Sequence, residues 1–317
     1  MKYNFIICSN GLGHLQRAIS VANELREFHG AAVSFFADEK SLSILKKNDY
    51  SESNEIQIIK NPSLLTETGF KMRHWEKVFE SIPDNEIIVS DNIIKPILLR
   101  NDTILIANFF WHEVVHHSAG EKKYIDHLLL RYKPKIIGHH FFSMPNVQAQ
   151  MNFFPYGFRC KSDTISKFNN QTSILVASGA SGRAINDFKN NSDYIVEICK
   201  DYENIYLDKY LLKYLGNKIK NYQLATFSKQ MYNSLDRAIV RPGLGTVREL
   251  YLRQIPMFLI YEDNNAEMKD LALKIKQIGL DANTYEMINF QSFEKRNTLE
   301  EELGYPTIAE NIISIYP

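Results

Sequence analysis

Short apolar runs recur along the chain, each closed by a turn-forming or polar residue. They lie at residues 3–8, 32–37, 55–60, 87–90, 103–107 and 135–138, and again at 173–177, 205–207, 223–225, 238–240 and 257–261. Runs this short and this apolar read as strands buried on both faces of a parallel sheet. Between them the apolar positions move to helical spacing. Leu15, Ala18, Ile19, Ala22 and Leu25 mark one helix; Met268, Leu271, Ala272, Ile275 and Ile278 mark another, ended at Gly279. Further helices are predicted over 75–82 (stopped by Pro83), 119–130, 228–235 and 307–315, while 61–71 reads as a loop. Strand and helix alternate in both halves, which predicts two parallel-sheet α/β domains. The join falls at 153–170, where Pro155, Gly157 and a polar run from Lys161 to Asn170 carry no periodicity. The predicted domains are therefore 1–157 and 158–317, both Rossmann-like and facing a cleft, with the last helix a candidate to pack back on the first domain.

Three of the strand-to-helix junctions are rich in glycine: Asn10-Gly11-Leu12-Gly13-His14, Ser178-Gly179-Ala180-Ser181-Gly182 and Arg241-Pro242-Gly243-Leu244-Gly245-Thr246. Glycines there let a ligand approach the backbone, and a helix N-terminus behind them presents free N–H groups and a positive dipole end, which suits a phosphate. Taken alone, any one of these is as readily a plain strand–turn–helix junction. In the third, Thr246 is predicted as the helix N-cap, with Glu249 completing a capping box. The first resembles a dinucleotide fingerprint, but Gln16 stands where the third glycine would be, which disfavours a nicotinamide cofactor. There is no G-x-x-x-x-G-K-[ST] sequence and so no support for a P-loop NTPase.

Composition narrows the classes further. The 317 residues carry 37 Lys+Arg against 37 Asp+Glu, so no net basic field points to nucleic acid. Cys8, Cys160 and Cys199 are odd in number and far apart, neither a disulfide framework nor a zinc spacing, which fits a reducing, cytoplasmic setting. No apolar run approaches the roughly 20 residues needed to span a membrane. A peripheral contact at its inner face stays compatible with the sequence. His112, His116, His117, His139 and His140 suggest a metal centre, but no H-E-x-x-H sequence is present. They read instead as solvated or acceptor-side residues, with no metal expected. Trp111 reads as core. Arg183 and Arg248 read equally as phosphate partners or as exposed helix arginines.

The ordered set Gly11-Leu12-Gly13-His14-Leu15-Gln16-Arg17, Ser178–Gly182 and Arg241–Glu249 running on to Gly279 resembles the GT-B-fold glycosyltransferases of the MurG-like group. That resemblance implies a metal-independent transferase without a cofactor, which moves a sugar from a UDP-linked donor to a glycan or lipid-linked acceptor with inversion. It implies His14 as catalytic base, and imidazole titrates near neutrality as that task requires. Relatives often orient this histidine with an acid. Asp91, at the end of a first-domain strand, is the candidate, although a strand-end cap is the commoner role for such a residue. By the same resemblance Gly11, Gly13, Gly179, Ser181, Gly182, Gly243, Gly245 and Thr246 line the donor, Glu249 holds the ribose hydroxyls and Glu267 contacts the donor. Relatives often carry Glu-Gln-x-x-Asn-Ala where this chain reads Glu267-Met268-Lys269-Asp270-Leu271-Ala272, so the polar pair is replaced; Asp263, Asn264 or Asn265 are candidate substitutes. The G-x-G-H-x-x-R pattern also resembles UDP-sugar hydrolases of pseudaminic acid biosynthesis, in which water replaces the acceptor. A sugar-nucleotide-binding regulator without turnover is the third reading.

Overall fold

The computed structural model describes residues 1–51, 55–114, 118–158, 172–179, 184–282 and 298–316. The chain divides into two compact units, Met1–Gly157 together with Tyr305–Pro317, and Phe158–Gly304.

The first unit holds seven strands: β1 (Lys2–Ile6), β2 (Ala32–Ala37), β3 (Ile56–Ile58), β4 (Ile87–Asp91), β5 (Ile104–Ile106), β6 (Lys135–His139) and β7 (Phe153–Tyr156). They form one parallel sheet in the order β3-β2-β1-β4-β5-β6-β7. The helices between them are α1 (Leu12–His29), α2 (Glu39–Lys47), α3 (Met72–Glu80), α4 (Trp111–Val114), α5 (Ala119–Tyr132) and α6 (Pro145–Gln148). Every position of β4 is buried, as a strand covered on both faces must be. Along α1 the predicted stripe of Leu15, Ala18, Ile19, Ala22 and Leu25 is buried.

Several elements differ from the sequence reading, β7 and α2 among them. Residues 153–156, read there as part of the join, are the edge strand β7. An edge tolerates Pro155, whose missing N–H breaks no central ladder; its carbonyl accepts from Asn311 Nδ2 at 3.0 Å. Helix α2 was not predicted: Leu45 is its one buried residue, and Leu42 and Ile44 are only half-buried among polar neighbours. Asp38 starts it as N-cap, accepting from the Ser41 N–H at 2.9 Å.

The chain re-enters the first unit through the helix Ile308–Ile315, opened by a capping box of Thr307 and Glu310. It buries Ile308, Ala309 and Ile312 and packs on α1 and β7. Thr307 donates to Glu24 of α1 at 2.6 Å, and the Tyr316 hydroxyl donates to the Asp102 carbonyl at 2.7 Å.

The second unit is a five-stranded parallel sheet of β8 (Ser173–Ala177), β9 (Asn204–Leu207), β10 (Tyr222–Leu224), β11 (Arg237–Val240) and β12 (Met257–Leu259), in the order β10-β9-β8-β11-β12. Its helices are α7 (Ile185–Asn190), α8 (Ser192–Cys199), α9 (Leu212–Leu215), α10 (Lys229–Ser234), α11 (Leu244–Leu252), α12 (Ala266–Gln277) and Thr298–Leu303. Ile174, Val176, Phe188, Leu207 and Ile239 centre its core. Each unit is thus a Rossmann-like parallel sheet. Strand order reverses once in each, between β1 and β4 and between β8 and β11. In open parallel sheets, ligands bind beyond the carboxyl ends of the strands at such a reversal. Among the described residues no helix is long and apolar enough to cross a membrane.

Candidate active site

The reversal in the first unit puts the turn after β1 beside the end of β4. Gly11 there has φ 151°, a backbone conformation that side chains other than hydrogen disfavour, and it starts α1 without a side-chain cap. His14 therefore sits in the first turn of α1, and Asp91 is the last residue of β4. Their side chains meet, with His14 Nδ1 2.9 Å from Asp91 Oδ1. Arg17, one turn further along α1, reaches the same carboxylate through both Nη2 and Nε, the latter at 3.3 Å from Oδ2. Arg17 Nη2 also lies 3.3 Å from His14 Nδ1.

Electrostatics decides how this trio is protonated. Asp91 is fully buried. Burial alone would raise its pKa, but the Arg17 guanidinium and then His14 outweigh it and hold the carboxyl below the usual range. The ionised carboxylate can only accept, so Nδ1 of His14 carries the proton that bridges them, and Nε2 becomes the lone-pair nitrogen. Nε2 has no protein hydrogen bond among the described residues. The Asp91 charge also keeps Arg17 protonated, against the opposing effect of burial.

The turn behind Asp91 is held rigidly. Asn92 has φ 60°, the Ser90 hydroxyl donates to the Ile93 carbonyl at 2.6 Å, and the Asn92 N–H donates to the Ile106 carbonyl at 2.9 Å. Trp111 is buried in the surrounding apolar cluster, as predicted, and its ring lies 6.2 Å from that of His14. Glu67 closes the outer side of this turn. It is 3% exposed and accepts from the Ile94 N–H at 2.5 Å, while Oε1 makes no hydrogen bond. Burial pushes its pKa up to about 7, against the pull of the Ile94 N–H and Lys95.

In the second unit the reversal brings the turn after β8 beside the turn after β11. The Arg241 N–H donates to the Ala177 carbonyl at 3.1 Å. The Arg241 side chain passes the Cα of Gly179 (φ 79°) to form a two-point ion pair with Glu262, at 2.9 and 3.2 Å. Ser181, Gly182 and Arg183 lie outside the described residues, as do His116 and His117.

The capping box expected at Thr246 is not formed. Helix α11 begins three residues earlier, with Gly243 as N-cap and no side-chain cap. The Gly243 N–H folds back on the Arg241 carbonyl at 2.7 Å, which lets the helix start at Leu244 and places Thr246 inside its first turn. Gly243 and Gly245 both face open space where a side chain would begin. A first turn with no side-chain cap and no side chain over it can receive an anion.

One face of α11 carries Thr246, Glu249 and Arg253. Glu249 Oε2 accepts from Arg253 Nη1 at 2.9 Å, and Oε1 from Arg248 Nη1 at 3.3 Å. Tyr232 of α10 packs against this face. Burial pushes its pKa up to about 12, with the Glu249 charge adding to the effect. Glu267 lies in the first turn of α12, where Asn265 is the N-cap, its side-chain oxygen accepting from the Met268 N–H at 3.2 Å.

The solvated reading of the histidines fails for two of them. His112 is 4% exposed, stacked on Phe110 and bonded to Asp126 at 3.0 Å. His139 is fully buried at the end of β6, where Nδ1 accepts the Phe141 and Phe142 N–H groups, each at 3.0 Å. His140 stacks on Tyr305 at 3.9 Å. Sequence reasoning gave Arg17 no role, although its place one turn after His14 on the same helix face was the available signal. Arg253 carried a similar one, four residues after Glu249.

Comparison with solved structures identifies the fold. Over 99% of both chains the protein superposes on the glycosyltransferase SnogD from Streptomyces nogalater, with a TM-score of 0.61 and 14% identity. It superposes on the spinosyn rhamnosyltransferase SpnG, solved with thymidine diphosphate, over 100% of both chains at TM-score 0.62 and 13% identity. MurG of Acinetobacter baumannii matches at TM-score 0.59 and 12% identity, over 98% of this chain and 97% of that one. No family model matches the sequence, and no curated protein matches it. The fold is GT-B, the fold of these glycosyltransferases.

Proposed function

We propose that the protein is a GT-B glycosyltransferase that moves a sugar from a UDP-linked donor to an acceptor hydroxyl, with inversion, in the synthesis of a glycan or a lipid-linked glycoconjugate. The observation that carries this reading is the His14–Asp91 contact at the strand-order reversal of the first unit. With Nδ1–H held by Asp91, Nε2 is the base that takes the proton from the acceptor hydroxyl as its oxygen attacks the anomeric carbon. Asp91 stays ionised throughout and steadies the imidazolium that forms. Arg17 shares the carboxylate and keeps it ionised.

The donor is assigned to the second unit. The uncapped first turn of α11 and the turn at Gly179 receive the diphosphate, with Ser181 and Gly182 next in sequence. Their N–H groups stabilise the negative charge that grows on the leaving nucleoside diphosphate. Glu249 accepts from the ribose hydroxyls, and Glu267 faces the donor from α12. Gly11 and Gly13 leave the backbone open beside His14. One of the similar folds bears on the donor's base: SpnG was solved with thymidine diphosphate, so dTDP-sugars belong in the test beside UDP-sugars. No resident metal or redox cofactor is part of this reading.

The test is turnover of a panel of UDP- and dTDP-sugars, followed by nucleoside diphosphate release, with and without a cell extract as the source of acceptor. Transfer predicts slow release that the extract accelerates, preference for a UDP-sugar, and activity that survives a chelator. Rapid release of free sugar in water alone would instead establish a hydrolase, for which the same Nε2 would activate water. Binding without turnover under any condition would make the protein a sugar-nucleotide sensor.

A further inference from the structure

Arg253 takes no part in the reaction as proposed, yet it is a buried cation directly beside Glu249. Its side chain is 3% exposed, whereas that of Glu249 is 23% exposed. Nη1 donates to both the Glu249 carboxylate, at 2.9 Å, and the Glu249 backbone carbonyl, at 3.0 Å. Nε donates to Asn233 Oδ1 at 2.7 Å, and the guanidinium lies 5.6 Å from the centre of the Tyr232 ring. Three partners on two helices fix one cation, and this cation fixes Oε2 of Glu249. Among the described residues the other cation on that carboxylate is Arg248, whose side chain is 38% exposed and whose contact with Oε1 is the longer one, at 3.3 Å.

The two oxygens of Glu249 are therefore unequal. Oε2 is anchored from the buried side at 2.9 Å; Oε1 meets the half-exposed Arg248 at 3.3 Å. A carboxylate serves two neighbouring hydroxyls well only if it is ionised and its plane is set before the ligand arrives, since ordering it on binding uses up part of the affinity. Arg253 sets that plane from the buried side. A planar guanidinium can hold a carboxylate and an amide oxygen at once, a geometry that an ammonium cannot reproduce.

We propose that Arg253 is the positioning residue that sets selectivity for ribose over 2′-deoxyribose in the nucleotide bound by the second unit. It does so by orienting Glu249 while making no contact with the nucleotide itself. This rests on the donor assignment above. It predicts that the two sugars are discriminated by preorganisation of Glu249 as well as by its presence.

The experiment is calorimetry with UDP and 2′-deoxy-UDP, together with pyrophosphate. The wild type should prefer UDP by on the order of ten-fold, the worth of one hydrogen bond to a charged group. Arg253→Gln should bring that preference down to about two-fold, while pyrophosphate affinity stays within about two-fold of wild type. Arg253→Lys should restore only part of the preference. If Arg253→Gln does not fold, Asn233→Ala makes the same test more mildly, because it frees Nε without removing the charge; it should lower the preference in the same direction. A folded Arg253→Gln or Asn233→Ala variant with the wild-type UDP to 2′-deoxy-UDP ratio overturns the inference and leaves the donor assignment standing. A wild type that binds neither nucleotide overturns both. Uniform weakening of all three ligands would make Arg253 a structural residue of α11 and overturn the inference as well.

Discussion

His14 and Glu67 are two titratable residues that meet the end of β4 and the segment after it, one at Asp91 and the other at the Ile94 N–H, and they lead to separate experiments. Replacing His14 with Ala removes the base but no group assigned to the nucleotide. Turnover should fall by about 10² to 10⁴, with UDP affinity nearly unchanged. The acid limb of the turnover–pH profile should vanish in the variant; near-normal turnover would reduce His14 to a turn residue. Glu67 acts on stability. In the unfolded chain its carboxyl loses its proton near 4.5, whereas in the folded protein it keeps that proton until about 7. The native state therefore binds more protons between these values, so the stabilising contribution is complete below about 4.5 and is lost as pH rises through 7. The loss is on the order of 3 kcal/mol. Urea unfolding from pH 5 to 8 should show the decline in the wild type and a flatter profile in Glu67→Gln. Parallel profiles would mean that the carboxyl ionises normally in the fold.

Helix α11 allows stability and binding to be pulled apart. Gly245 lies in the helix with open space at its Cβ position, so Gly245→Ala should raise stability by up to about 1 kcal/mol through helix propensity. If the diphosphate rests on that first turn, the same methyl should lower UDP affinity, and thermal shift with and without UDP reads both effects. An Ala variant with improved stability and undiminished affinity would move the diphosphate elsewhere. Thr246→Ala should have less effect than the loss of an N-cap, because Gly243 holds that position. The pattern of elements was legible where burial is two-sided: β8 falls at the predicted residues, every one of them buried, with an unbroken apolar run after Ser173. It was less legible at margins. Strand β7 contains a proline and lies at an edge, α2 buries a single side chain, and the start of α11 depends on a backbone turn between Arg241 and Gly243 that residue types alone do not specify. The pairing of His14 with Asp91 was named from the resemblance, but the residues themselves do not show how the two meet. They lie 77 residues apart, and their meeting depends on β1 pairing with β4, a fact of strand order.

At the scale of the whole chain, the first unit is discontinuous: strand β7 and the helix Ile308–Ile315 are separated in sequence by all of Phe158–Gly304. Ending the chain before Tyr305 would strip the apolar cover of Ile308, Ala309 and Ile312 from α1 and β7. That truncation should destabilise the first unit selectively, so that unfolding followed by two probes, one per unit, splits into two transitions. A single unshifted transition would show the helix to be dispensable. The same discontinuity has a consequence for the nascent chain. Translation proceeds at about 5–20 residues per second, so seven strands of the first sheet leave the ribosome on the order of 10 s before the helix that covers them. During that interval the surface of α1 and β7 that receives the helix is bare, while the second unit, uninterrupted in sequence, can close as it emerges. Maturation is then set by the arrival of one short helix, and a ribosome stalled just short of it would display an apolar strip suited to a chaperone that screens unfinished proteins.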